Sequence, residues 1–145
     1  MRIETYKNLP EQAIEIRQKV FVEEQGFQDE FDETDSRAVH IVLFDGEKPV
    51  GTCRVFYDNS MDAYAIGRLA VLKEYRGQSA GTSLVEAAEE HVAQEGGTGI
   101  VLHAQERAMG FYQRLGFRQF GDVEDVEGCP HVWMEKRTAV QKPEP

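Results

Sequence analysis

The segment from Leu69 to Leu84 constrains this chain more than any other. Leu69-Ala70-Val71-Leu72 reads as the end of a strand, while Leu84, Val85, Ala88 and Val92 fall at helical spacing beyond it. Between them lies Arg76-Gly77-Gln78-Ser79-Ala80-Gly81-Thr82. Small residues there let the backbone turn tightly from strand into helix and approach a ligand closely. The first amides of such a helix have no intrahelical partner and point outward with the helix dipole behind them, a setting for phosphate. Arg76 adds a positive charge at the turn. Plain capping of the helix by Ser79 accounts for the same residues equally well. The turn is not a P-loop, since no Gly-Lys-Ser/Thr follows, and it lacks the Gly-x-Gly-x-x-Gly spacing of a dinucleotide site.

The rest of the chain alternates strands and helices around that turn. Residues 2–6 alternate as a short strand. After Pro10, the residues Ala13, Ile14, Ile16, Arg17, Val20 and Phe21 form a stripe at helical spacing that Gly26 ends. Val39 to Phe44 and Val50 to Tyr57 read as strands joined by the turn Asp45-Gly46-Glu47-Lys48-Pro49, and a third strand runs from about Ala63 to Leu72. Gly96-Gly97 closes the helix that follows the turn. Ile100 to His103, Phe117 to Phe120 and Pro130 to Lys136 are the remaining strands, with a helix over Glu106 to Leu115 stopped at Gly116. This order predicts a mixed α/β sheet domain, and 145 residues suit one domain. The polar tail 138–145 is expected to fray.

Charge narrows the partners. Twenty-six acids against 16 bases give a net charge of −10, which disfavours nucleic acid and anionic membranes. No apolar run approaches the roughly 20 residues of a membrane span, and Met1-Arg2-Ile3-Glu4-Thr5 lacks the apolar stretch of a secretory signal. Cys53 and Cys129 alone build neither a disulfide framework nor a four-ligand zinc site, so no metal is expected and the cytoplasm is the default location. Seven acids (Glu23, Glu24, Asp29, Glu30, Asp32, Glu33 and Asp35) occur without a base from Glu23 to Asp35. Such a run is a solvated face or a rim that attracts a cationic substrate. It is no calcium loop, because the turn glycine and the ligand spacing are missing.

Two motifs taken together carry a family resemblance. Leu69-Ala70-Val71 followed by Arg76-Gly77-Gln78-Ser79-Ala80-Gly81 is the first; Phe111-Tyr112-Gln113-Arg114-Leu115-Gly116-Phe117, about 30 residues on, is the second. In this order, with a strand between, they resemble the GNAT superfamily of acyl-CoA-dependent N-acetyltransferases. The similarity extends over almost the whole chain. Arg17-Gln18-Lys19-Val20-Phe21-Val22-Glu23-Glu24-Gln25 and Cys129-Pro130-His131 look like its small bacterial ElaA/YjcF-like branch. The resemblance implies an α/β (α+β) fold: one domain over residues 1–137, with a mixed, mostly antiparallel central sheet of about six to seven strands flanked by helices. It implies acetyl-CoA as co-substrate, its pantetheine along Leu69, Ala70 and Val71. The pyrophosphate would lie on the turn, where Arg76, Gly77, Gln78, Ser79, Ala80, Gly81 and Thr82 are the cofactor-binding candidates. It also allows a homodimer. Ser79 replaces the glycine of the family pattern, and the reading favoured here makes it the helix N-cap.

What the resemblance implies for chemistry is direct attack of a substrate amine on the thioester, without an acyl-enzyme. An alkyl ammonium must first lose a proton, and the departing thiolate must gain one. Tyr112 matches the family's tyrosine and is the candidate general acid; the alternative is a plain core aromatic. Glu24 and His131 are the candidate general bases, and water relaying the proton to bulk also suffices. His40 and His103 read as structural strand histidines. Arg68 orients a substrate carboxylate or forms an ion pair. Neither cysteine has the setting of a primed nucleophile. The expected activity is acetyl transfer to a primary amine on a small molecule or protein, and the acidic run favours a cationic one. The competing readings are a non-catalytic acyl-CoA sensor or interaction module, and a structural domain whose turn merely caps a helix.

Overall fold

Ile41, Val42, Leu43 and Phe44 are all buried, although successive strand side chains point to opposite faces. A strand without polar alternation needs cover on both sides, and the chain supplies it. The computed structural model describes residues 1–28 and 31–137, so Asp29 and Glu30 of the acidic run and the tail 138–145 lie outside the described residues. Seven strands occur in it: β1 (Arg2–Tyr6), β2 (Val39–Asp45), β3 (Lys48–Asp58), β4 (Ala63–Val71), β5 (Gly99–Gln105), β6 (Arg118–Val126) and β7 (Cys129–Arg137). They form one sheet in the order β1-β2-β3-β4-β5-β7-β6.

Helix α1 (Glu11–Arg17) continues as a π-helix over Gln18–Glu24 and covers one face of the sheet. Ala13, Ile16, Val20 and Phe21 pack there against Val42, Phe44, Ala70 and Leu72. On the opposite face, α2 (Ala80–Gln94) sets Leu84, Val85, Ala88 and Val92 against Ile41, Leu43, Ile66, Ile100 and Leu102. Full burial of each such aliphatic side chain contributes about 1.5–3 kcal/mol, so the two layers carry most of the fold's stability. The short helix α3 (Met109–Arg114) ends at Gly116, whose φ of 98° terminates it.

All strand pairs are antiparallel except β4–β5, which the α2 crossover makes parallel. That ladder is short. It joins Tyr64 to Ile100, Ala65 to Val101 and Ile66 to Leu102, then stops. Beyond Ile66, β4 continues along β3 while β5 continues along β7. The register with β3 slips between Thr52 and Arg54, opposite Arg68, whose φ of 52° marks a bulge. The strands therefore part in the middle of the sheet, and the parting opens the site.

One strand differs from the sequence reading. β6 runs to Val126 rather than Phe120, and Cys129 begins β7 rather than lying on a loop. Positions 121–125 are exposed, so no burial pattern announces the strand. A two-residue turn at Glu127 and Gly128, with φ of 50° and 80°, joins it to β7.

Candidate active site

The parting of β4 and β5 leaves a cavity of about 500 Å³, walled by β4 beyond Ile66, the end of β5, the π-helix and α3. Leu69, Ala70, Val71 and Arg76 line it, as do Tyr112, Glu24 and His131. The end of β4 and all three candidate proton-transfer residues thus face one space. Gly77 to Thr82 lie beyond Arg76 and do not line it. Ala70 and Val71 have their strand partners, Thr52 and Gly51, on the β3 side. Their other edge faces the cavity, where an extended ligand can pair with the backbone as an added strand.

The turn after β4 has an unusual backbone. Gly77 and Ser79 have φ of 79° and 65°. Ser79 does occupy the N-cap position of α2, yet its side chain makes no capping hydrogen bond. The expectation that serine is there as a cap is therefore corrected: a capping side chain needs an extended backbone, and this residue is left-handed. A Cβ in that conformation costs about 1–2 kcal/mol, which is why glycine suits the position. Ala80 is buried in the core, so only its backbone is available to a ligand. The amide side chain of Gln78 donates to the Glu74 carbonyl at 3.1 Å. Gly81 lies against the Phe111 ring.

Arg76 is not an uncompensated charge at the turn. Its Nε donates to the Val71 carbonyl at 3.0 Å, and its two Nη atoms donate to the two oxygens of Glu24, each at 2.7 Å. These hydrogen bonds, foremost among the causes, hold the Glu24 carboxyl below its usual range. A carboxylate engaged at both oxygens is a poor proton acceptor.

Tyr112 is buried on α3, with Phe111 and Phe117 in edge contact at 5.0 and 5.8 Å between ring centroids. Burial, with Cys53 adding to it, raises its hydroxyl above the usual phenol value, so the proton stays on the oxygen. His131 Nδ1 lies 2.9 Å from the Cys129 carbonyl. A carbonyl only accepts, so Nδ1 carries the hydrogen, and in the neutral ring the lone pair is on Nε2. That is the tautomer of a base. The Cys53 thiol is buried and pushed up to about 12, which removes it as a nucleophile. No group of three His, Cys, Asp or Glu that could hold a metal occurs among the described residues.

Sequence reasoning passed over part of the wall. His103, read as structural, lines the cavity with its ring 5.1 Å from that of His131 and stacked at 4.5 Å on Trp133. Burial, then the neighbouring His131, lowers its imidazole. The Glu124 carboxylate stands 3.1 Å from its Nε2 but outside hydrogen-bond alignment. Gln105 donates to Gln25 at 2.7 Å and accepts from Arg107 Nε at 2.9 Å. His103 and Gln105 alternate on β5 opposite Trp133 and His131 on β7. Their spacing of two was the available signal, but only the β5–β7 pairing gives it meaning.

Two acids of the acidic run, Asp32 and Asp35, are tied to arginines, while Glu24 lines the cavity. Buried Asp35 accepts two hydrogen bonds from Arg17, at 2.8 and 3.1 Å, and one from Arg54 at 2.9 Å. Asp32 takes a forked contact from Arg54 at 2.6 and 3.2 Å and one from Arg68 at 3.3 Å. Arg68 thus forms an ion pair and also lines the cavity. Two of the acids join α1, β3 and the β4 bulge instead of facing a substrate.

A cavity where parallel strands part, with a strand edge open to an extended ligand and a left-handed turn leading into a helix, has the shape of a site for an extended ligand that ends in an anionic group. Comparison with known proteins gives the family. The family described as acetyltransferase (GNAT) domain matches residues 6–138. A Bacillus subtilis acetyltransferase is 40% identical over 130 residues, 86% of this chain and 87% of the relative. The N-acetyltransferase YjcF of the same organism is 38% identical, with 86% and 89% covered. The crystal structure of an N-acetyltransferase from Lactobacillus plantarum superposes with a TM-score of 0.86 at 32% identity, covering 95% of this chain and 98% of that one. The chain belongs to the GNAT acetyltransferase family and is an acyltransferase. No described helix is long and apolar enough to cross a membrane.

Proposed function

We propose that this protein transfers the acetyl group of acetyl-CoA directly to a primary amine of a small molecule or protein in the cytoplasm. The observation that carries the reading is the shared cavity of Tyr112 and His131, one keeping its proton and the other with Nδ1 on a carbonyl, so that the neutral ring presents its lone pair at Nε2. These are the two protonation states the reaction requires at its two ends.

The residues present fit acetyl-CoA. The cavity-facing edge of Ala70 and Val71 suits the amide groups of pantetheine. The turn at Gly77 to Thr82 and the first amides of α2 suit the pyrophosphate. Acetyl-CoA supplies the activated thioester, and the chain supplies position and proton transfer. His131 Nε2 removes a proton from the acceptor ammonium so that the neutral amine attacks the thioester carbon. Tyr112 donates its hydroxyl hydrogen to the thiolate as the C–S bond breaks. Glu24, held by Arg76, is left out of the proton-transfer step. Cys53 is buried and takes no acetyl group, which favours a ternary complex over an acyl-enzyme.

Calorimetric titration with acetyl-CoA tests the reading. Micromolar binding is expected. No heat from a protein shown by circular dichroism to be folded would overturn it.

A further inference from the structure

Arg76 and Glu24 each belong to a different half of the site, yet each occupies the other. The arginine extends from the turn proposed for the pyrophosphate; the glutamate ends the π-helix that walls the rest of the cavity. Both Nη atoms of the arginine and both oxygens of the glutamate are used in the pair. The same arginine is tethered through Nε to the carbonyl of Val71, on the last residue of β4.

Resting on the acetyl-CoA reading above, we propose that Glu24 is a specificity residue which competes with the cofactor's pyrophosphate for Arg76. When the pyrophosphate takes the arginine, the released carboxylate holds the acceptor as an ammonium ion.

Three observations support the exchange. The two side chains are 40% and 39% exposed, so water screens the pair and little free energy holds it together. A pyrophosphate brings two negative charges where the carboxylate brings one, and the first amides of α2 stand behind it. The tether on Val71 keeps the guanidinium at the end of β4 in either arrangement. Glu24 itself lies on a widened turn, since the Gln25 amide bonds to the Val20 carbonyl five residues back, and that turn borders the cavity.

The consequence is a coupled site. Acetyl-CoA raises affinity for a cationic amine, and by reciprocity such an amine raises affinity for acetyl-CoA. A neutral or anionic acceptor gains nothing from the exchange. Cation preference thus comes from one carboxylate of the acidic run, Glu24, while Asp32 and Asp35 of the same run are engaged elsewhere.

The test is a calorimetric cycle with free CoA on the wild type, Glu24→Gln, Arg76→Gln and the double variant at low ionic strength. Glu24→Gln is expected to tighten CoA about 3–5-fold when Arg76 is present and to change nothing in the Arg76→Gln background. Weaker CoA binding in Glu24→Gln would show that the carboxylate positions the arginine, and would overturn the proposal. An equal gain without Arg76 would show a general charge effect and overturn it too. A wild type that does not bind CoA at all removes the acetyl-CoA reading and, with it, the competition.

Discussion

Gly81 and Phe111, one from each motif, are in direct contact: a Cβ built on Gly81 would stand 3.0 Å from Cζ of the Phe111 ring. A side chain at this position of the turn would crowd the aromatic ring. The contact locks the start of α2 to α3, the helix that carries Tyr112.

Gly81→Leu drives a side chain into that ring. Overpacking of this kind costs about 1–3 kcal/mol, so thermal denaturation is expected to show a lower Tm together with weaker acetyl-CoA binding. Unchanged stability with weaker binding would mean that Gly81 serves the ligand alone.

Ser79 tests the backbone of the same turn. With φ of 65° and no capping hydrogen bond, it gains from losing its Cβ. Ser79→Gly is expected to stabilise the protein by about 1 kcal/mol in urea unfolding, less the entropy that glycine adds to the unfolded chain. Destabilisation would show that the hydroxyl caps α2 after all.

The Tyr112 hydroxyl, the proposed general acid, makes no hydrogen bond within the described residues. Tyr112→Phe is expected to lower kcat by about 10-fold or more, with acetyl-CoA affinity and Tm nearly unchanged. An unaltered kcat would remove Tyr112 from the reaction.

The order of strands and helices is legible in the sequence because burial is periodic there. Leu84, Val85, Ala88 and Val92 of α2 fall at helical spacing, and the apolar run of β2 shows that the strand is covered on both faces. The exposed half of β6 has no such periodicity. Two motifs locate Tyr112 and the cofactor strand, since each is local. The partners of Glu24, Asp32 and Asp35 are not local. Arg76 is 52 residues from Glu24, and Arg54 is 22 from Asp32. A run of acids read alone looks solvated or substrate-seeking, and only the folded chain shows which arginines they meet. Likewise, the tautomer of His131 depends on a carbonyl that the sequence cannot orient.

Stability is expected to fall in two stages as pH drops. Burial pushes the imidazoles of His40 and His103 down, so the unfolded chain takes up protons near pH 6.5 that the folded chain refuses. Their contribution is full above about pH 6.5 and declines below it. For Asp35 and Asp32, burial works against ionisation, but the hydrogen bonds from Arg17 and Arg54 win and hold both carboxyls below the usual range. That contribution is present above about pH 4 and is lost as the pH falls further. A Tm profile should show both stages. Asp35→Asn should weaken the lower one and, by removing a charged partner that buried Arg17 and Arg54 share, cost about 3–5 kcal/mol. A flat Tm from pH 7 to pH 5 would contradict the neutral, buried histidines.

The most direct measurement is continuous detection of free thiol from acetyl-CoA, with and without a primary amine such as spermidine, at enzyme concentrations high enough to see one turnover. Direct transfer between Tyr112 and His131 predicts steady thiol release that depends on the amine and no release without it. A stoichiometric burst of CoA in the absence of amine would reveal an acyl-enzyme and contradict the account. So would the lack of any amine-dependent release across a panel of cationic and neutral primary amines.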